Sequence, residues 1–170
     1  MNLSQLSPSA VFLDCIAAAA VLIYLPFVVV AYARTRVGLD LAAPRAMFDK
    51  LPPYAQRANW AHQNSLEAFM IFAAAALMAY VTGINSSVAV GAAIAFVVAR
   101  TLYSVFYIAN VPIARSLMFG IGSFCSGTLI VLSILQANSS TPLPWFKLAS
   151  IKFKSISSLN YGFYLFFRYC

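Results

Sequence analysis

A carboxylate and a carboxamide lie one helical turn apart inside a long apolar stretch of the chain. Residues at steps of three and four share one helix face, and here they are Arg57, Trp60, Asn64, Glu67 and Ile71. An ionisable group in apolar surroundings is costly, so Glu67 is a first candidate for function. With Asn64 it could hold an ammonium or amide group of a ligand, or an arginine of another helix could neutralise it. We expect both side chains to face inward.

A guanidinium and two phenols are aligned in the same way in the next apolar stretch. The stripe there consists of Phe96, Arg100, Tyr103, Tyr107 and Asn110. In one interpretation Arg100 pairs with Glu67 in a buried bridge between helices, and the tyrosines belong to an aromatic belt. In the other, the two polar stripes face each other and build a ligand pocket. The residues alone leave both open.

Arg115 and Ser116 open the last long apolar stretch, directly after NVPIA. A cation at a helix N-terminus is opposed by the helix macrodipole. The position does suit a guanidinium that meets an anion, because the free backbone N–H groups of that helix end point the same way. The alternative is a basic anchor at the cytoplasmic membrane surface.

The composition predicts that helices embedded in a membrane position these residues. The chain has 170 residues, of which 62% are hydrophobic and only 9% are charged, whereas a soluble domain carries about 25% charged residues. A helix needs about 20 apolar residues to cross the hydrocarbon core. Four stretches of this kind occur, at residues 9–33, 59–82, 87–109 and 114–136. Because none alternates with period two, we predict an all-α integral membrane protein with four transmembrane helices.

The basic residues indicate an orientation. They concentrate in the connection between residues 34 and 57 and at Arg115, while the N-terminus and the GINSS turn hold none. The positive-inside rule places both basic connections on the cytoplasmic side. The net charge of +7 is spread without a single basic face, so nucleic acid is not expected as a partner, and anionic lipid or an acidic small molecule is.

Several classes of site have no motif in this sequence. It contains no Walker loop, HExxH, GxSxG or Cys/His cluster, so no metal site is predicted. The cysteines Cys15, Cys125 and Cys170 are widely spaced and are interpreted as packing residues.

The C-terminal end differs in composition from the rest of the chain. We predict a membrane domain at residues 1–140 and an atypical basic and aromatic tail at residues 141–170. From Trp145 onward Ala, Val and Gly give way to Ser, Lys, Ile, Phe and Tyr. The last apolar stretch is too short to span a membrane, so the tail is either an interfacial amphipathic segment or an out-of-frame extension.

Two segments carry a resemblance to a known family. QRANWAHQNSLEAF resembles the R-x(6)-N-x(2)-E signature in the second helix of the MAPEG family, the membrane-associated proteins in eicosanoid and glutathione metabolism. ARTLYSVFYIANVPIARS resembles the A-R-x-x-[HY]-x-x-x-Y pattern of its third helix and the Arg-Ser that follows. The resemblance covers residues 8–136.

The resemblance implies a homotrimer that binds glutathione between subunits near the cytoplasmic face. Asn64 and Glu67, in one motif with Arg57, would hold the glutathione backbone, and Arg100, Tyr103 and Tyr107 would line the same site. Arg115, followed by Ser116, matches the arginine that stabilises the glutathione thiolate; lowering the thiol pKa from about 8.5 makes the nucleophile available. The implied activity is that of a glutathione transferase or peroxidase acting on lipophilic electrophiles or lipid hydroperoxides in the membrane.

One departure from the family pattern supports an alternative function. Trp60 stands where active eukaryotic members usually have an arginine. Each charged hydrogen bond that is lost weakens glutathione capture by roughly 1.5 to 3 kcal/mol. The alternatives are a non-catalytic protein of the same fold that binds lipids or protein partners and, more distantly, a small transporter or channel subunit. The Trp60 variant and the Ala-rich helices resemble bacterial members, which favours a bacterial plasma membrane over the endoplasmic reticulum.

Overall fold

Four long α-helices account for most of the computed structural model, which describes residues 7–140. We number them α1 (Pro8–Arg36), α2 (Pro53–Val81), α3 (Ser87–Ile108) and α4 (Pro112–Ser140). A short 3₁₀ turn at Phe48–Lys50 interrupts the connection between α1 and α2. The predicted all-α, four-helix fold class is confirmed.

All four helices are long and apolar enough to cross a membrane. Large apolar side chains cover their outer surfaces, as at Val21, Val81, Ile113 and Phe124, which are all more than two-thirds exposed. Such a surface is unsuited to water and suits lipid or another protein. The chain is a multi-pass integral membrane protein.

Proline and left-handed residues fix the helix ends. Pro8, Pro53 and Pro112 each occupy the first turn of a helix, where the missing N–H costs nothing. Gly83, with φ +65°, follows the end of α2, and the Ile84 N–H bonds the Ala79 carbonyl. Asn110, with φ +60°, ends α3 in the same way. Both ends are Schellman motifs, which reverse the chain within a few residues.

Small residues bring the first three helices together. The buried face of α2 is built from Ala55, Ala58, Ala61, Ser65, Phe72, Ala75, Ala76 and Ala79. Such residues allow close helix approach in a membrane, where association depends on packing. At the centre of the core Phe72 stacks on Phe96 of α3, with ring centroids 3.8 Å apart and planes 3° from parallel.

A histidine contact joins α2 to α1. The helix α1 continues through Pro26, and His62 of α2 bonds through Nδ1 to the Ile23 carbonyl, 2.8 Å away, in the turn before this proline. Because a carbonyl can only accept, Nδ1 carries the proton. The His62 ring also packs against Phe27 at 5.2 Å between centroids. His62 is therefore a packing residue between α1 and α2.

The chain divides into two compact units, Met1–Ser133 and Ile134–Cys170. The described part of the second unit is the end of α4. The predicted tail at residues 141–170 lies outside the described residues, as does Cys170. Cys15 and Cys125, which lie within them, are buried free thiols.

Candidate functional site

The polar stripe of α2 lies beside its buried face. Asn64 is half-buried, whereas Glu67 is exposed and Trp60 and Ile71 are 43% and 58% exposed. The prediction that Glu67 faces inward is therefore wrong within the subunit. A periodic pattern identifies a helix face but not its direction, and here the alanine face packs against α1 and α3 because its small side chains fit there.

Arg100 lies at the interface between α3 and α2. Its side chain is 4% exposed, and Nη2 donates hydrogen bonds to Oδ1 of Asn64 at 3.0 Å and to Oγ of Ser65 at 3.3 Å. Nη1 is buried and has no hydrogen-bond partner. Within residues 7–140 the Arg100–Glu67 ion pair of the first interpretation is not formed, since Arg100 bonds Asn64 and Ser65 while Glu67 is exposed. Arg100 is therefore a buried cation with neutral partners.

The aromatic residues of α3 extend from Arg100 towards α4. The Arg100 guanidinium carbon lies 4.2 Å from the centre of the buried Tyr103 ring. Tyr103 meets Tyr107 edge to face at 5.5 Å, and the Arg115 guanidinium lies 4.4 Å from the centre of the Tyr107 ring. Cation–π contacts of this kind are favourable, most of all where water is excluded. The contacts form one continuous row from Asn64 to Arg115 across three helices, which we name the α2–α4 row.

The short turn between α3 and α4 positions Arg115 against Tyr107. Asn110 in the left-handed conformation lets the Val111 N–H reach the Phe106 carbonyl, so α4 starts at Pro112. Arg115 then lies in the first turn of α4, close to the end of α3 that carries Tyr107. Ser116 is exposed on the same turn.

Arg57 has a contact of a different kind. Its Nε donates a hydrogen bond to the Ile108 carbonyl at 3.0 Å, across the interface between α2 and α3. Ile108 is the last residue of α3, where the backbone carbonyls lack helical partners and carry the negative end of the macrodipole. Arg57 thus caps α3 at the end where the row lies.

Ser65 is a contact residue that the sequence patterns did not predict. It belongs to the buried face of α2, next in sequence to Asn64 but off the polar stripe. A serine inside an alanine-rich helix usually bonds its own backbone, so its type gave no signal of a bond to Arg100.

The comparison with protein families decides the identity of the fold. The model of the MAPEG family matches residues 11–135, which include α2, α3 and most of α1 and α4. The chain belongs to the MAPEG family. It is therefore a membrane protein of a family that acts in eicosanoid and glutathione metabolism, and the resemblance found in its sequence is confirmed. No curated protein and no solved structure matches the chain.

An apolar cavity adjoins the row in this MAPEG subunit. It has a volume of about 240 Å³ and lies between α2, α3 and α4. Phe96, Arg100 and the small residues Gly122 and Ser126 of α4 line it. A Cβ atom at Gly122 would stand 3.5 Å from Cδ of Arg100, an ordinary van der Waals contact, so α4 lies close to the stem of the Arg100 side chain at this wall.

No group of three or more His, Cys, Asp or Glu side chains that could hold a metal occurs within residues 7–140. The arrangement offers cations and phenolic hydroxyls instead. Such groups can bind a carboxylate and stabilise a thiolate.

Proposed function

We propose that this protein is a glutathione-dependent transferase or peroxidase that acts on lipophilic electrophiles or lipid hydroperoxides in the membrane. The observation that carries the proposal is the buried Arg100, which has neutral partners within the subunit and lies in one row with Arg115. Burying a guanidinium without a counter-ion is unfavourable by roughly several kcal/mol. An anion bound at this row would therefore stabilise Arg100.

Glutathione has the charges that this row requires. It carries two carboxylates, one ammonium group and a thiol. Arg100 would attract a carboxylate, with Tyr103 and Tyr107 as hydroxyl donors beside it, while Glu67 and Asn64 would hold the ammonium and amide groups. Arg57 would stabilise the end of α3, which carries Tyr107, through its bond to the Ile108 carbonyl. Ser116 would offer a hydroxyl beside Arg115.

Arg115 would provide the catalytic charge. Its guanidinium would stabilise the thiolate, while the thiol proton passes to water. The thiolate sulfur then attacks an electrophilic carbon and forms the C–S bond, and the displaced group leaves with the electron pair. With a hydroperoxide, sulfur attacks the terminal oxygen, the O–O bond breaks and the lipid leaves as an alkoxide, which takes a proton from water and becomes an alcohol. A second glutathione then converts the sulfenic acid to glutathione disulfide and water.

A homotrimer would complete the site. Glu67 and Ser116 are exposed on the single subunit, at opposite ends of the row. A ligand held only by this subunit would therefore remain open on one side. A neighbouring subunit would cover it, and the apolar cavity beside Arg100 would accept the lipophilic substrate from the bilayer.

The orientation and the membrane are part of the same proposal. The connection between α1 and α2 and the start of α4 carry the basic residues and lie at the cytoplasmic side under the positive-inside rule. Glutathione, a cytoplasmic anion, would reach the row from that side. We place the protein in a bacterial plasma membrane on the resemblance noted for Trp60.

Glutathione binding and thiolate formation are the direct test. The purified protein is titrated with millimolar glutathione by calorimetry, and thiolate is followed by difference absorbance at about 240 nm. Arg115→Gln should retain the oligomeric state and lose the thiolate band. The matched control is Lys50→Gln, which removes one exposed charge from the connection between α1 and α2. A thiolate band that is unchanged in Arg115→Gln would exclude the mechanism.

A non-catalytic role on the same fold is the second candidate. The observation that favours it is Trp60, which packs against Phe48 with 5.6 Å between ring centroids at a position where an arginine is usual. Absence of glutathione binding in the titration, with bound lipid recovered from the purified protein, would favour this candidate.

A further inference from the structure

The connection between α1 and α2 carries apolar side chains that residues 7–140 leave exposed. Val37, Leu39 and Leu41 are 39%, 46% and 83% exposed. Exposed basic side chains flank them, Arg36 at the end of α1 and Arg45 after the second leucine. We name this set the connection surface; it consists of Arg36, Val37, Leu39, Leu41 and Arg45.

Hydrogen bonds hold the connection in a compact form. The Asp40 N–H donates to Sδ of the buried Met47 over 3.2 Å, which ties the start of the connection to its end. The Asp40 carboxylate accepts hydrogen bonds from the N–H groups of Ala42 and Ala43, at 2.9 and 3.3 Å. Gly38, with φ +88°, turns the chain directly after α1. The exposed leucines on either side of Asp40 therefore stand on a folded loop.

The connection lies level with the last turns of α1. Leu51, at its end, is 3% exposed and belongs to the buried cluster that includes Val30 and Ala33 of α1. Since the basic residues of α1 begin directly after Ala33, these turns mark the boundary between hydrocarbon and headgroups. The connection therefore folds back to this boundary, and its exposed apolar side chains lie at headgroup depth.

The charge of this segment favours an anionic layer. Residues 34–50 contain four basic and two acidic residues, and the carboxylate of Asp40 already accepts two backbone hydrogen bonds. The Arg36 guanidinium carbon lies 5.6 Å from the centre of the exposed Tyr32 ring, a pair of side chains that suits a membrane boundary. Guanidinium groups bind phosphate in a bidentate manner.

Leucines that stand among exposed arginines suit a lipid leaflet better than a protein partner. The cores of protein interfaces are depleted in charged side chains, and a stable interface buries about 800 Å² on each side. Three apolar side chains are too few for that area, whereas a leaflet offers acyl chains and phosphates side by side.

We propose that the connection surface docks onto anionic phospholipid of the leaflet at this end of the bundle. Its apolar side chains enter the region between headgroups and acyl chains, and Arg36 and Arg45 bind lipid phosphates. The connection surface shares no residue with the α2–α4 row, and its occupancy does not depend on glutathione.

An indole placed at Leu41 can measure the surroundings of this position. The chain has two tryptophans, so Leu41→Trp in a Trp60→Phe and Trp145→Phe background carries a single indole. The protein is reconstituted in vesicles of phosphatidylcholine and phosphatidylglycerol, with bromine on the acyl chains of one lipid at a time. We expect blue-shifted emission, strong quenching by brominated lipid and weak quenching by acrylamide dissolved in the water. Circular dichroism and gel filtration in detergent establish that each variant is folded.

Matched charge variants test the phosphate contacts. Quenching by the two brominated lipids gives the binding of phosphatidylglycerol relative to phosphatidylcholine. Arg36→Gln and Arg45→Gln should each lower this ratio about threefold, as should salt at about 1 M, whereas Arg45→Lys should keep most of it. Lys50→Gln removes an exposed charge of the same connection outside the connection surface and should lower the ratio less than about twofold.

Four results would overturn the proposal. Quenching by acrylamide but not by brominated lipid would place Leu41 in water. Protection from both quenchers would mean that protein, from this chain or a second copy, covers the connection surface. Equal quenching by the two brominated lipids, or equal effects of Lys50→Gln and Arg36→Gln, would exclude selective phosphate binding by these arginines. The vesicles contain no glutathione, so failure of the proposed function would leave this proposal intact.

Discussion

Arg100 of α3 donates a hydrogen bond from Nη2 to Oδ1 of Asn64 on α2, over 3.0 Å. The partner is a carboxamide, so the bond fixes the guanidinium without neutralising its charge. The Tyr103 ring lies against the same group, with 4.2 Å between Arg100 Cζ and the ring centroid. The interface between α2 and α3 therefore contains a cation that is held in place and still able to attract an anion.

Replacement of Arg100 by methionine should separate stability from binding. Removing an uncompensated buried charge is neutral or stabilising when an apolar side chain fills the space. Half-buried Asn64 can then bond water, and Ser65 can bond its own helix as Ser104 does. We expect the Tm of Arg100→Met to lie within a few degrees of wild type and glutathione binding to be lost.

Thermal unfolding in detergent and calorimetry measure the two effects. Arg100→Lys is the control that keeps the charge but loses the planar stacking on Tyr103. A large drop in Tm for Arg100→Met would contradict the argument, because it would mean that Arg100 already has a counter-ion in the assembled protein.

Arg57 should contribute mainly to stability. Its Nε bonds the Ile108 carbonyl at the end of α3, and a charged hydrogen bond of this kind contributes roughly 1.5 to 3 kcal/mol. Arg57→Met should lower the free energy of unfolding by about that amount. Lys50→Met, at an exposed position, should change it little. Equal Tm values for the two variants would show that the cap is unimportant.

The helices were predictable because each is a long apolar run whose ends carry proline or a turn residue. The structure shifts these ends by a few residues, and α2 begins at Pro53 because proline is favoured at the first helical position. The chain reversals at Gly83 and Asn110 follow from residue types that tolerate positive φ.

The partners of the polar side chains were less predictable. Spacing places Asn64 and Glu67 on one stripe, but the neighbour of that stripe depends on how the alanine faces pack. Arg100 therefore contacts Asn64 and Ser65, while Glu67 stays exposed. The contact of Arg57 with Ile108 joins a side chain to a backbone carbonyl, which residue types do not encode.

Asn110 should control the contact between Arg115 and Tyr107. It has φ +60°, which asparagine and glycine adopt readily and β-branched residues do not. Asn110→Val should lower the free energy of unfolding by about 1 to 2 kcal/mol, and Asn110→Gly should change it less. Because the turn positions α4, we also expect Asn110→Val to weaken the thiolate band of bound glutathione. Thermal unfolding measures the stability, and difference absorbance measures the thiolate band. An unchanged thiolate band in Asn110→Val, together with lowered stability, would show that the turn does not control the site.

The stacked rings of Phe72 and Phe96 should dominate the packing of the core. Their centroids are 3.8 Å apart, and Phe72 is fully buried. In a bilayer the unfolded helices remain in an apolar environment, so Phe72→Ala loses mainly the packing contacts. A residual cavity of about 100 Å³ at about 24 cal/mol per Å³ corresponds to roughly 2 kcal/mol. Phe72→Leu leaves a smaller cavity and should lower the free energy of unfolding less. Phe124 is exposed, so Phe124→Ala serves as the control and should change the free energy of unfolding little. Denaturant titration in mixed micelles measures the free energy of unfolding of the three variants. If Phe72→Ala and Phe124→Ala lowered it equally, the Phe72–Phe96 stack would not be the centre of the core.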